Sequence, residues 1–71
     1  MKEQIKAKFP EVQFYNCYAG EIYGEWGNYS ISIMDGHHAV FRIGGTVLVS
    51  QYITEDTLHQ FLDMILNYYM C

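Results

Sequence analysis

Positive charge is scarce in this chain and unevenly placed. Three of its four Lys and Arg residues lie within the first eight positions, and Arg42 is the only cation after them. Residues 1–8 carry a net charge of +2 and residues 9–71 a net charge of −6. A body of that sign repels phosphate backbones and can release few counterions, so direct nucleic-acid binding is not expected. Cysteine is also scarce. Cys17 and Cys71 are too few for a disulfide framework. No apolar run approaches the roughly 18 residues that cross a bilayer, and MKEQIKAKFPEV lacks the apolar stretch of a signal peptide. The expectation is a cytoplasmic protein with reduced cysteines and no membrane contact.

Catalytic signatures are missing too. Gly44-Gly45-Thr46 leads into a strand, so no helix N-terminus is offered to a phosphate. His37 and His38 are neighbours near Asp35, but adjacent strand residues point to opposite faces, which argues against a metal site. Cys17 is expected under the C-terminal helix, where burial disfavours a thiolate. Glu21 and Glu25 share a strand face. Paired carboxylates do acid–base work only in a cleft that separates their pKa values, and so short a chain offers little cleft. We expect no enzyme activity, no cofactor and no metal.

What is present is a folded composition. Half the residues are hydrophobic and 17% are aromatic, well outside the range of disordered chains. Seventy-one residues make one domain, 1–71. A chain of that length hides only about 60% of its unfolded surface, and dimerisation is an ordinary remedy.

The pattern predicts α+β architecture: a short N-terminal helix, a five-stranded antiparallel meander and a C-terminal amphipathic helix packed on one sheet face. Met1, Ile5 and Phe9 recur every four residues, and Pro10 ends the first helix, over residues 2–8. Strands are expected at residues 11–18, 21–26, 29–34, 37–43 and 46–52. Asp35-Gly36 and Gly44-Gly45 are two-residue hairpin turns. Thr54 is expected to cap a helix running to about Tyr69, with Glu55 and Asp56 in its first turn. Leu58, Phe61, Leu62, Ile65 and Tyr69 form its apolar stripe.

Two-residue turns fix register, and register fixes faces. Closure at Asp35-Gly36 sets Ile33 opposite His38 and Ile31 opposite Val40. Closure at Gly44-Gly45 sets Val40 opposite Val49. The expected core face is then Ile22, Ile31, Ile33, Val40, Val47 and Val49. The other face holds Phe14, Tyr18, Tyr23, Ser30, Ser32, Ala39, Phe41, Leu48, Ser50 and Tyr52. The N-terminal helix, through Ile5 and Phe9, is expected to cover part of this side and is too short to cover all of it; either it or a partner covers Phe41 and Leu48. A one-residue bulge in either hairpin would exchange the faces.

Seven tyrosines exceed what a small core can bury with satisfied hydroxyls, and tyrosine is enriched at interfaces. The expected function is a non-enzymatic protein-binding module for a partner with a basic surface. Its contact residues are Phe41, Leu48, Tyr18, Tyr23, Tyr52, Glu21 and Glu25. Phage and mobile elements encode small acidic inhibitors of nucleic-acid-handling complexes, anti-CRISPR proteins among them, and size and charge suit that role. The alternative is a structural domain that forms homodimers or higher oligomers, or an adaptor of a bacterial complex.

Overall fold

The computed structural model describes residues 1–15 and 20–70. Helix α1 spans Lys2–Lys8. Strands β1 (Gln13–Tyr15), β2 (Glu21–Trp26), β3 (Tyr29–Met34), β4 (His38–Ile43) and β5 (Thr46–Tyr52) follow, then helix α2 (Leu58–Tyr68). The strands form one antiparallel sheet in the order β1-β2-β3-β4-β5. This is the α+β meander that the residue pattern predicts.

Both helices lie on the same side of the sheet. Ile5 and Phe9 of the N-terminal segment, and Leu58, Phe61, Leu62 and Ile65 of α2, share one buried cluster with Trp26, Ile31, Ile33, Ala39 and Phe41. Burying each such large side chain contributes about 1.5–3 kcal/mol before ordering entropy is counted. Lys8 at the end of α1 pairs with Asp63 of α2, which ties the two helices together across the layer. Gly24 on β2 lies under a close approach of the chain. A Cβ there would stand 2.8 Å from Val12 and 3.1 Å from the Phe14 ring, so only glycine lets β1 and its lead-in pack down.

The faces are exchanged on β4 relative to expectation, and one residue causes it. The turn itself forms as predicted. Asp35 and Gly36 both have positive φ, 55° and 74°, and the His37 amide donates to the Met34 carbonyl at 3.1 Å. His37 then stands as an extra residue, and pairing starts at Met34–His38, not at Met34–His37. Ile31 consequently faces Phe41, and Ile33 faces Ala39. A one-residue slip moves every side chain of the strand to the other side. Phe41 is therefore a core residue with no exposed surface, and Ala39 joins it. Val40 moves to the opposite face.

A second irregularity lies in β5. Pairing runs Arg42–Val47 and then Phe41–Val49, so Leu48 is inserted as a bulge. Leu48 and Val49 both pack partly buried against the core, whereas Val47, expected inside, is 51% exposed. Phe14, paired with Gly24, also belongs to the helix-covered side.

The helix α2 stripe is buried at Leu58, Phe61, Leu62 and Ile65 as expected, whereas Tyr69, expected in the stripe, follows the last helical residue and is 38% exposed. Thr54 does cap a turn: its hydroxyl accepts from the Thr57 amide at 3.2 Å, and the Thr57 hydroxyl accepts from the Thr54 amide at 2.8 Å. That turn precedes the helix, which begins at Leu58, so Glu55 and Asp56 lie outside it. No helix among the described residues is long and apolar enough to cross a membrane.

Candidate functional site

The helix-free face of the sheet is built by alternation. Tyr23 on β2 pairs with Ser32 on β3, Ser32 with Val40 on β4, and Val40 with Ser50 on β5. Two residues along, the row Glu21, Met34, His38 and Tyr52 crosses the same four strands. The third row holds Glu25, Ser30, Arg42 and Val47, and Tyr15 joins from β1 opposite Tyr23. The result is a surface of aromatic, hydroxyl and charged groups with no element packed over it among the described residues.

Its groups are held by short-range bonds. The Tyr23 hydroxyl donates to Glu25 Oε2 at 2.7 Å. Arg42 Nη1 donates to the Ser32 hydroxyl at 3.1 Å. That bond satisfies a serine that is almost wholly buried. His38 Nε2 is hydrogen-bonded to the Ser50 hydroxyl at 2.9 Å. The carboxylate of Glu25 raises the Tyr23 pKa, first by accepting its hydrogen bond, with desolvation adding to it. The phenol thus stays a protonated donor well into alkaline conditions, which suits recognition more than proton abstraction.

At one corner, Tyr52 is 75% exposed and flanked by two imidazoles. The His38 ring lies 5.0 Å from it and the His37 ring 5.7 Å, both stacked. His37 reaches this place because it is the inserted residue and does not follow strict alternation. No group of three or more His, Cys, Asp and Glu side chains among the described residues could hold a metal ion. A recess of about 410 Å³ lies elsewhere, between α1 and β1, lined by Lys2, Glu3, Lys6, Val12, Gln13 and Phe14.

Of the seven residues expected to meet a partner, Glu21, Tyr23, Glu25 and Tyr52 come together on this face. Phe41 does not, for it is in the core. Leu48 sits in the β5 bulge and packs towards the core. Tyr18 lies outside the described residues, as does Cys17. The expectation missed Tyr15, His38, Arg42 and Val47; Val40, expected in the core, is buried but on this side of the sheet. The signal that could have found them was Ser30 and Ser32, whose side of β3 is polar. Carrying that side across to β4 required knowing that His37 is an extra residue.

Compared with protein-family models, with curated proteins and with solved structures, the chain matches none.

Proposed function

We propose that this protein is a non-catalytic binding module that grips a protein partner with the helix-free face of its sheet. The observation that carries this reading is the gathering of Tyr23, Tyr52, Glu21 and Glu25 on that face, beside Tyr15 and the half-exposed Val47. Tyrosine gives large contact area at low entropic cost and is enriched where binding energy concentrates. The net charge of −6 beyond residue 8 steers a basic partner towards the surface. Occupying the basic groove of a nucleic-acid-handling complex is one use of such a surface, and the inhibitor role is proposed on that ground.

The test is affinity capture from a host lysate with the natural chain and with the double variant Glu21→Lys/Glu25→Lys. A basic protein held by the natural chain, released by salt and lost from the variant is the expected result. Identical captured sets for both chains would contradict the reading. If the captured protein is a nucleic-acid-handling complex, addition of the natural chain should inhibit it and the variant should not.

A further inference from the structure

The two edges of the sheet differ in a way that assigns one of them a partner. Along the described part of the β1 edge, Gln13–Tyr15, Lys2 extends its ammonium over the Phe14 ring, 5.6 Å from the centroid. A strand beside a cation is a protected edge. The β5 edge has seven residues, TVLVSQY, with no charge and no proline, and no strand lies beside it among the described residues. Val47 is 51% and Tyr52 75% exposed along it.

Which backbone groups face outward follows from the ladder. The Ile53 amide donates to the His37 carbonyl at 2.7 Å, so residue 53 points its groups towards β4. Antiparallel pairs alternate, so Gln51 also points inward, while the amides and carbonyls of Ser50 and Tyr52 point away from the sheet. The bulge at Leu48 breaks this alternation and limits the regular outward edge to its C-terminal half.

We propose that this edge pairs with the β5 edge of a second copy, antiparallel about a two-fold axis at Gln51. In that register Ser50 of each copy meets Tyr52 of the other, and each pair exchanges two backbone hydrogen bonds. Gln51 faces its own counterpart across the axis. Centring the pair on Ser50 instead would set Tyr52 against the bulged Leu48, where regular pairing fails. The occupant is a second copy because the edge carries no charge. A basic peptide finds its complement at Glu21 and Glu25 on β2, three strands away, whereas two copies of TVLVSQY meet with no like charges opposed. The paired sheets make one ten-stranded surface in which the helix-free faces of both copies are continuous. This dimer is independent of the partner-binding reading, since its contacts are backbone groups of the edge.

Sedimentation of the full chain across the micromolar to millimolar range tests it. A reversible dimer is expected, and Gln51→Lys should shift it to monomer, because the lysines would oppose each other only in the dimer; the two chains should melt at the same temperature at dilutions where both are monomeric. Residues opposed without exchanging hydrogen bonds have Cα atoms about 4.5 Å apart, within the span of a disulfide. Gln51→Cys, in a chain also carrying Cys17→Ser and Cys71→Ser, should therefore cross-link under mild oxidation far faster than Gln60→Cys in the same background. A monomer throughout the range, or equal cross-linking at residues 51 and 60, would overturn the proposal.

Discussion

Phe41 sits where aromatic rings from several elements converge. Tyr29 lies 5.7 Å away, Tyr69 5.9 Å and Trp26 6.1 Å, and Trp26 in turn stacks on Phe9 at 4.6 Å. Truncating a buried phenylalanine costs about 3–5 kcal/mol, against a total of about 0.05–0.15 kcal/mol per residue. Phe41→Ala should therefore leave the domain at or near its unfolding midpoint without denaturant. Tyr52→Ala should change stability by less than about 0.5 kcal/mol, because the ring is on the surface. Urea denaturation of the two variants checks the pair, and equal losses would contradict the face assignment. Tyr23 makes a separate prediction. Its raised pKa means that the hydrogen bond to Glu25 stabilises the fold fully below the ordinary tyrosine value of about 10 and is lost as pH rises through the folded value. In a spectrophotometric titration, Tyr23→Phe should remove a late-ionising phenol.

At the scale of elements, helices and strand order were legible because their signals are local. The four-residue spacing of Met1, Ile5 and Phe9, the stripe from Leu58 to Ile65 and the glycine turns each depend on a few neighbouring residues. The sides of β4 and β5 were not legible, because they depend on two single-residue insertions, His37 and Leu48, that leave no mark in the alternation of TVLVS or HHAVF. The site was legible in the same measure. Tyr23, Glu21 and Glu25 keep their side because β2 joins β3 through the tight turn at Gly27-Asn28, and Trp26 pairs directly with Tyr29. Phe41 changes side because β4 follows His37. Tyr52 keeps its expected face because the bulge and the earlier insertion compensate by the end of β5. The contact between the helices carries its own prediction. The Lys8 ammonium holds the Asp63 carboxyl below the usual carboxylate range, chiefly through their hydrogen bond. Its contribution is present above about pH 4, where the unfolded carboxyl is ionised, and is lost as pH falls through the lower folded value. The stability difference between the natural chain and Asp63→Asn should therefore shrink in acid, as followed by thermal melts at successive pH values.

At the scale of the whole molecule, the described residues place two helices on one side of the sheet and none on the other, a two-layer structure whose second sheet face no described element covers. The core needs the helices to hide Ile31, Ile33 and Phe41, and seven residues of α1 beside eleven of α2 suffice for a sheet this narrow. Nothing in that packing requires the opposite face to carry Tyr15, Tyr23 and Tyr52, which is why recognition is assigned to it. The most direct measurement is photo-cross-linking in the native host, with a photoreactive phenylalanine analogue placed singly at Tyr23 or at Tyr68. Tyr68 lies on α2 and is 79% exposed, so it reports on the helical side. The account predicts a cross-linked adduct with another protein from position 23 and none from position 68. An adduct from position 68 with none from position 23 would contradict it.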